Sequence, residues 1–252
     1  MGLFHKKSLH STDVWNARTM FGSNLHFAAT EAYKLLRTNI TFSFSDEGVG
    51  KVIGVTSAIQ HEGKSSTACN VAYALAESGS RVLLLEGDLR KPTIPSKLGL
   101  ARVPGLTNLL VARSDYKELI QRSDLAPKLD IIPSGDIPPN PSELLGSNRM
   151  MQVVEELKQD YDYIIMDLPP INVVSDAVAV SKLLDGVVMV VRAGVSDVQM
   201  LAEAMRQLEM VDVRLLGFVF RDTNDPVKKY GYQRYSKKYY KYYNYYTRNK
   251  SK

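Results

Sequence analysis

The sequence predicts an α/β fold: a doubly wound, mostly parallel sheet with helices on both faces. Short apolar runs alternate along the chain with segments whose apolar residues recur at helical spacing. The apolar runs, such as Arg81–Leu85 and Gly186–Val191, are continuous rather than alternating with polar residues. Strands buried beneath helices on both faces have this composition. A chain of 252 residues with 44% hydrophobic and 23% charged residues is large enough to bury such a core.

The elements follow one another with short connections. Strands are predicted at Val52–Val55, Arg81–Leu85, Leu129–Pro133, Tyr161–Met166, Gly186–Val191 and Val213–Phe220. Helices are predicted at about Ala28–Phe44, directly after Gly63, at Gly105–Val111, Tyr116–Ile120, Ser142–Leu145, Met150–Leu157 and Asp176–Leu184, and around Met200–Leu208. Residues 1–27 are polar with little periodicity and are expected to form a mostly extended arm. The folded domain is therefore expected at residues 28–225.

The last 27 residues, 226–252, have a different composition. They contain nine Lys or Arg, no Asp or Glu, and one aliphatic side chain, Val227. Nine of the chain's 14 tyrosines lie here: Tyr230, Tyr232, Tyr235, Tyr239, Tyr240, Tyr242, Tyr243, Tyr245 and Tyr246. High net charge without apolar periodicity predicts a disordered tail. The tail has a net charge of +9 and the whole chain a net charge of +5, so the rest of the chain has a net charge of about −4.

The cysteine content and the lengths of the apolar runs indicate the compartment. The single cysteine, Cys69, excludes an internal disulfide framework and fits a reducing environment, where it is expected to be a small core residue. No apolar run approaches the ~20 residues that a membrane-spanning helix requires. A cytoplasmic protein is expected, with any membrane contact made through a partner or through surface charge.

The central motif is a phosphate-binding loop between the first strand of the sheet and the next helix. It ends in Gly63-Lys64-Ser65. Backbone N–H groups at such a helix N-terminus bind anions, Lys64 would reach the β- and γ-phosphates, and the Ser65 hydroxyl would bind Mg²⁺. The predicted nucleotide-binding residues are Ala58, Gln60, Glu62, Gly63, Lys64, Ser65 and Ser66. Ala58 stands where such loops usually have their first glycine.

Acidic residues follow two other strands, at the edge where open α/β sheets bind ligands. Asp167 is placed like an aspartate that holds Mg²⁺ beside a phosphate loop, directly or through water. Glu86 and Asp88 follow the strand at 81–85. Taken alone, they could be incidental acids of a polar loop. Together with the phosphate loop they indicate that a carboxylate accepts a proton from an attacking water or hydroxyl group. A tyrosine hydroxyl, with a pKa near 10, is almost wholly protonated at neutral pH and needs such a base.

Three charged residues share roughly one face of the predicted helix at 28–44. Glu31, Lys34 and Arg37 lie three residues apart. By spacing alone, they indicate a solvated face with local ion pairs, each of which would stabilise the helix by about 0.2–0.5 kcal/mol.

In combination, the motifs resemble the bacterial tyrosine kinases, a family of P-loop autokinases that regulate capsule and exopolysaccharide synthesis. The resemblance is specifically to the stand-alone cytoplasmic form of Gram-positive bacteria, and it extends from about Glu31 to the tail. Gly63-Lys64-Ser65 corresponds to the Walker A loop, residues 84–92 to Walker A′, and residues 165–170 to Walker B. Residues 133–145 also look like the family, and the tyrosine-rich tail is its most distinctive feature.

This resemblance implies a P-loop NTPase fold and an ATP- and Mg²⁺-dependent protein-tyrosine kinase. The implied catalytic residues are Lys64, Glu86, Asp88 and Arg90, and the implied Mg²⁺ ligands are Ser65, Asp88 and Asp167. The nine tail tyrosines are the implied phosphoacceptors. In the family, a helix with the pattern Glu-x-x-Arg-x-x-Arg contacts the next subunit of a ring. Glu31, Lys34 and Arg37 are therefore expected at an oligomer interface.

The resemblance also implies partners and a mode of action. Tail tyrosines would be phosphorylated in trans within the ring, since a flexible tail of this length spans roughly 29 Å. A membrane-embedded activator of the polysaccharide co-polymerase type would act through its cytoplasmic segment and recruit the kinase to the inner face of the plasma membrane. A cognate tyrosine phosphatase is expected. Nucleic acid is not expected as a partner, although a basic, aromatic tail alone could bind single strands or anionic membrane.

Besides Ala58, six residues depart from the family pattern. Lys34 replaces an arginine and loses its planar fork. Ile59, Gln60 and His61 stand where Pro and Gly are common in the loop. Glu86 replaces an aspartate, which leaves open whether Glu86 or Asp88 is the base. Arg221 lies near the position of an asparagine that often reads the adenine, which leaves adenine recognition open.

The main alternative function is a switch ATPase of the kind that partitions DNA or positions division sites, like MinD or ParA. These ATPases share the sheet but usually carry a second lysine directly after the first glycine position. Ile59 occupies that position here, which argues against this class. A degenerate, non-catalytic interaction module is a second alternative. The intact Lys64, Ser65, Asp88 and Asp167 argue against it.

Overall fold

The fold is known from a computed structural model, which describes residues 21–44, 48–112, 114–122 and 124–221. Its strands are β1 (Lys51–Ser57), β2 (Val82–Glu86), β3 (Gln121–Arg122), β4 (Leu129–Ile132), β5 (Tyr163–Asp167), β6 (Gly186–Arg192) and β7 (Leu215–Arg221). They form a seven-stranded sheet in the order β3-β4-β2-β5-β1-β6-β7. All neighbours pair in parallel except β3 and β4, which are antiparallel. The predicted mostly parallel α/β fold is therefore confirmed.

Helices connect the strands. The described α-helices are α1 (Phe27–Ser43), α2 (Lys64–Glu77), α3 (Ile94–Leu98), α4 (Leu106–Ala112), α5 (Pro141–Leu145), α6 (Asn148–Asp160), α7 (Asp176–Ala179) and α8 (Val198–Met210). Short 3₁₀ turns occur at Gly22–Asn24, Tyr116–Glu118 and Ser181–Leu183.

Successive residues of the central strands pack into two apolar layers. In β2, Leu83 and Leu85 face one layer and Val82 and Leu84 face the other, and all four are fully buried. The first layer contains side chains of α6 and α8, and the second contains side chains of α1 and α2. Each fully buried aliphatic side chain contributes roughly 1.5–3 kcal/mol. Because helices cover both faces, the central strands have continuous apolar runs, and their charged residues lie mainly at the strand ends, as the sequence predicted.

Two predicted helices differ from the structure. The segment predicted as a helix at Tyr116–Ile120 forms only a 3₁₀ turn and then continues into β3, which pairs with β4. So short a helix would close few backbone hydrogen bonds, whereas β3 satisfies its backbone against β4. The helix predicted at Asp176–Leu184 ends at Ala179, and a 3₁₀ turn follows. This break accompanies the complete burial of Val180 in the core.

The chain also has structure where none was predicted. Helix α3 has Pro95 in its first turn, where the missing N–H of proline costs no intrahelical hydrogen bond. Part of the predicted extended arm is packed: Phe21 is 3% exposed, and the Gly22 N–H donates to the Asn70 side chain. The rest of the predicted arm, residues 1–20, and the predicted tail at 226–252 lie outside the described residues.

Within the described residues 21–44, 48–112, 114–122 and 124–221, no helix is long and apolar enough to cross a membrane.

Candidate active site

A cleft of about 430 Å³ opens where the strands of the sheet end. The phosphate-loop side of its wall contains Gln60, His61, Gly63, Lys64, Ser65, Ser66 and Arg192. Lys97 of α3 and the loops after β2 and β5 provide the rest of the wall. The loop residues are Asp88, Arg90, Lys91, Thr93, Pro169, Pro170, Val173 and Val174. The parallel strands bring these segments together because their carboxyl ends share one edge of the sheet.

The phosphate loop turns sharply into α2 at Gly63. This glycine has a φ of 91°, in the left-handed region, and it is the N-cap of the 14-residue helix. Its carbonyl accepts the Thr67 N–H at 3.0 Å, which begins the helical hydrogen bonds. A Cβ atom on Gly63 would lie 1.5 Å from a guanidinium nitrogen of Arg221. The positive φ favours glycine at this turn, and any larger residue would also have to displace the Arg221 side chain. The first-turn residues Lys64, Ser65 and Ser66 line the cleft.

Lys64 is held by two carboxylates. Its Nζ lies 2.7 Å from Asp88 Oδ2 and 3.7 Å from Asp167 Oδ1, and its side chain is 12% exposed. Burial lowers the pKa of Lys64, but Asp167 and Asp88 outweigh burial, so the net effect is a raised pKa. The ammonium group is therefore charged at neutral pH and available for exchange between carboxylate and phosphate oxygens.

Asp167 is a buried carboxylate without a hydrogen-bond partner among the described residues. It is fully buried, and neither of its oxygens accepts a hydrogen bond there. Burial raises its pKa, and the neighbouring Lys64 ammonium group only partly opposes this shift. Such a group is expected to bind a cation, so Asp167 and the Ser65 hydroxyl fit Mg²⁺. The described residues contain no cluster of three or more His, Cys, Asp or Glu suited to a metal, so phosphate and water would complete the coordination.

Glu86 lies behind the cleft. Its side chain is fully buried and accepts hydrogen bonds from the backbone N–H groups of Thr93 (2.6 Å), Ile94 (2.7 Å) and Ser134 (3.0 Å). These bonds join β2 to the start of α3 and to the loop after β4. Of the two acids that could be the base, only Asp88 lines the cleft. The geometry therefore favours Asp88 and gives Glu86 a structural part.

Two predicted nucleotide-binding side chains also face inward. Ala58 and Glu62 are each 1% exposed. The Glu62 carboxylate accepts the Ile59 N–H at 2.9 Å and a short hydrogen bond from the Ser196 hydroxyl. Ala58 and Glu62 thus shape the loop from within, and only their backbones could face a nucleotide.

Arginines at the ends of β6 and β7 donate hydrogen bonds to backbone carbonyls of the same loop, a role that the sequence patterns did not predict. Arg192 Nη1 donates to the His61 carbonyl at 2.9 Å, and Arg221 Nη1 donates to the Gly63 carbonyl at 3.2 Å. Arg192 and Arg221 each come directly after a predicted apolar strand. A charged residue at that position is the sequence signal that could have identified them.

Comparison with known proteins identifies the family. The model of the AAA domain family named AAA_31 matches residues 50–214. The chain is 38% identical to the tyrosine-protein kinase YwqD of Bacillus subtilis (strain 168), over 81% of this chain and 85% of that protein. It is 30% identical to the kinase domain of the Escherichia coli tyrosine kinase ETK in its solved structure, with a TM-score of 0.74 over 81% of this chain and 80% of that one. The chain belongs to the bacterial tyrosine kinase family.

A more distant similarity concerns the fold alone. The septum site-determining protein MinD of Pyrococcus horikoshii is 22% identical, with a TM-score of 0.58 over 68% of this chain and 70% of that one. The sheet is therefore shared between the bacterial tyrosine kinases and this second class of protein.

The three residues predicted at a kinase oligomer interface have partners within the chain. Glu31 and Lys34 form an ion pair of 2.9 Å along α1. Arg37 Nη1 donates to the Ala74 carbonyl in α2 at 3.1 Å. The structure thus brings Glu31 and Lys34 together and directs Arg37 to the body of its own subunit. Their interface role stays a prediction.

The tyrosines of the kinase fall into two groups. All nine predicted phosphoacceptors lie outside the described residues. In the described part, the hydroxyls of Tyr116 and Tyr161 donate to Asp160 and Asp130. Burial and these carboxylates raise the pKa of both tyrosines. Tyr116 and Tyr161 thus stabilise the fold and are poorly placed as acceptors.

The hydrogen bonds of Glu86 yield a prediction about stability. Replacing Glu86 with Gln would set an NH₂ group against backbone donors, so Glu86→Gln should lower the free energy of unfolding by about 2–3 kcal/mol. Urea denaturation measures this change. Glu155→Gln, in an exposed side chain of α6, is the matched control and should change stability by less than about 0.5 kcal/mol. Equal stability of the two variants would contradict the structural role.

Asp167 yields a second prediction. Its folded-state pKa is raised above the unfolded value, so its ionisation opposes folding, and stability declines as the pH rises through the folded-state pKa. At pH 7, Asp167→Asn should therefore not lower the melting temperature of the nucleotide-free protein. It should remove the extra stabilisation that Mg²⁺ adds to ADP, as measured by thermal melting with ADP in Mg²⁺ or EDTA. An unchanged Mg²⁺-dependent shift would exclude Asp167 as a ligand.

Proposed function

We propose that this chain is an ATP-dependent protein-tyrosine kinase that phosphorylates the tail tyrosines of a neighbouring copy. The observation that carries the proposal is the position of Asp88. Its carboxylate lies in the cleft, 2.7 Å from the phosphate-loop lysine, on the side opposite the loop. Phosphate recognition and a proton acceptor are thereby adjacent, as transfer to a hydroxyl requires.

ATP would bind along the phosphate loop. The first-turn N–H groups of α2 would hold its phosphates, Lys64 would pair with the β- and γ-phosphates, and Gln60 and Ser66 line the same wall. Ser65 and Asp167 would hold Mg²⁺, with Asp88 a further candidate ligand. When bound, the metal would neutralise the negative charge that develops on the β- and γ-phosphates.

Asp88 is proposed as the general base. One of its oxygens binds Lys64 and the other accepts the Lys91 N–H at 3.0 Å. Phosphate oxygens would compete for Lys64 and release the first oxygen of Asp88. A tyrosine hydroxyl would then attack the γ-phosphorus, with its proton passing to Asp88. The new bond joins the tyrosine oxygen to phosphorus, the bond to the β-phosphate oxygen breaks, and ADP leaves.

The proposed acceptors are the tail tyrosines at 230–246. The nine have no carboxylate neighbours in their segment, which contains no Asp or Glu. Val173, Val174 and the adjacent prolines form an apolar wall suited to a phenol ring. Phosphorylation in trans within a ring is proposed, with Glu31, Lys34 and Arg37 at the contact between subunits.

The biological setting is proposed from the family. The kinase would regulate capsular or exopolysaccharide synthesis and chain length. A membrane-embedded activator of the polysaccharide co-polymerase type would bind it through a cytoplasmic segment and bring it to the membrane. A cognate tyrosine phosphatase would reverse the reaction. The competing proposal, a switch ATPase, has support from the shared sheet, but Ile59 stands where that class carries its second lysine.

The kinase proposal predicts an outcome for two complementary variants. The wild-type chain is incubated with Mg·ATP, alone and together with the cytoplasmic segment of the activator. Immunoblots should then detect phosphotyrosine. Lys64→Met should lose the activity, and a variant with all nine tail tyrosines changed to Phe should lose the acceptors. Phosphotyrosine should reappear on the Lys64→Met chain when the two variants are mixed.

The outcomes of this experiment separate the alternatives. No phosphotyrosine in the mixture, with each chain folded, would contradict phosphorylation in trans. Steady phosphate release without phosphotyrosine in the wild type would favour the switch ATPase.

The ring proposal predicts a separate effect of reversing one charge. Lys34→Glu replaces an exposed i, i+3 ion pair within the subunit by two neighbouring glutamates in contact with water, so it should change the melting temperature of the subunit little. If Lys34 also contacts the next subunit, the reversal should dissociate the oligomer. Light scattering after size exclusion measures the mass. Lys182→Glu, in the exposed turn at 181–183, is the control, and an unchanged mass for Lys34→Glu would refute the interface role.

A further inference from the structure

A second buried carboxylate lies beside the cleft. Asp176, the first residue of α7, has a fully buried side chain. It accepts hydrogen bonds from Arg90 Nε at 2.9 Å and Arg90 Nη2 at 3.0 Å, together with a hydrogen bond from the Ser142 hydroxyl at 2.5 Å. Neither the phosphate loop nor the strand-end acids explain why an aspartate is buried here.

This contact occupies only part of the Arg90 guanidinium group. Its side chain is 41% exposed and lines the cleft, two residues after Asp88. Nε and Nη2 are occupied, and Nη2 also donates to Ser142 at 3.2 Å. Nη1 has no hydrogen-bond partner within the described part of the chain. Since a guanidinium group has five N–H donors in a rigid plane, the two donors on Nη1 remain for an anion.

The bidentate contact fixes the guanidinium plane. A single charge contact would let Arg90 rotate, but two parallel N–H···O bonds to one carboxylate do not. Three segments meet at this point: the loop after β2 through Arg90, α5 through Ser142, and α7 through Asp176. The direction of Arg90 therefore depends on how α5 and α7 pack beside the cleft.

We propose that Asp176 is a positioning residue that directs the unoccupied Nη1 edge of Arg90 toward the phosphoryl group in transfer. The proposal rests on the function proposed above and adds to it the residue that orients Arg90. Arg90 would contact the phosphoryl oxygens as their charge develops, and Asp176 would act only through Arg90. Fixed donors of this kind lower a barrier because they need no reorganisation during the reaction.

Transition-state binding tests this role without requiring kinase activity. Mg·ADP with aluminium fluoride mimics the phosphoryl group in transfer, and its affinity is compared with that of Mg·ADP alone in the full chain. The wild type should bind the fluoride complex more tightly. In Asp176→Asn the enhancement should fall at least about tenfold, while the affinity for Mg·ADP changes less than about threefold. An equal enhancement in both proteins would overturn the proposal.

Two further variants separate positioning from folding. Asp162→Asn is the matched control, because Asp162 forms an Arg–Asp pair with Arg81 at 3.1 Å and does not line the cleft; its enhancement should equal that of the wild type. Arg90→Lys keeps a charge for Asp176 but loses the fork, so it should lose the enhancement even if Asp176→Asn does not fold. A retained enhancement in Arg90→Lys would also overturn the proposal.

Tyrosine phosphorylation provides the final distinction. In a wild type that forms phosphotyrosine, Asp176→Asn should lower kcat about tenfold or more with little change in KM for ATP, and Arg90→Ala should add little to the double variant. Additive losses would contradict action through Arg90. A wild type that forms no phosphotyrosine would refute the proposed function, whereas the fluoride measurement would still decide the role of Asp176.

Discussion

The site depends on one constraint: parallel strands place all of their carboxyl ends at the same edge of a sheet. Because β1, β2 and β5 are neighbours in the order β2-β5-β1, the phosphate loop, the Asp88 loop and Asp167 share that edge. The strands stay in register because both of their faces are covered by apolar layers, so a shift of one residue would expose buried side chains. The same packing that stabilises the sheet thus determines the distances between the charged groups.

Three fully buried carboxylates at this edge differ in their hydrogen-bond partners, and the differences indicate their roles. Glu86 is satisfied by backbone N–H groups, which suits a group that holds loops together. Asp176 is satisfied by an arginine and a serine, which suits a group that orients another side chain. Asp167 has no hydrogen-bond partner within the described residues, which suits a group that binds a cation. An unsatisfied buried carboxylate costs stability, so its presence is easier to explain by function than by folding.

Local patterns predicted the strands, the phosphate loop and the acids at the strand ends, because each depends on residues within one turn or one strand. They could not decide between Glu86 and Asp88. That choice depends on the N–H of Ser134, 48 residues further along the chain, which reaches Glu86 only in the folded sheet. The partner of Arg90 is likewise 86 residues away, and the contact of Arg221 with Gly63 joins the last strand to the first loop. Short elements such as α3 and β3 were missed for a related reason, since their backbone bonds are stabilised by neighbours in space rather than by their own sequence.

Lys64 connects the proposed phosphate site with the proposed base. Its ammonium group lies 2.7 Å from Asp88 Oδ2 and 3.7 Å from Asp167 Oδ1. Under the function proposed above, phosphate oxygens would compete for that ammonium group and would free Asp88 Oδ2 to accept the tyrosine proton once the γ-phosphate is in place. Glu86 could not be freed in this way, because its partners are the backbone N–H groups of Thr93, Ile94 and Ser134. One lysine would thus couple nucleotide binding to the release of the proposed base.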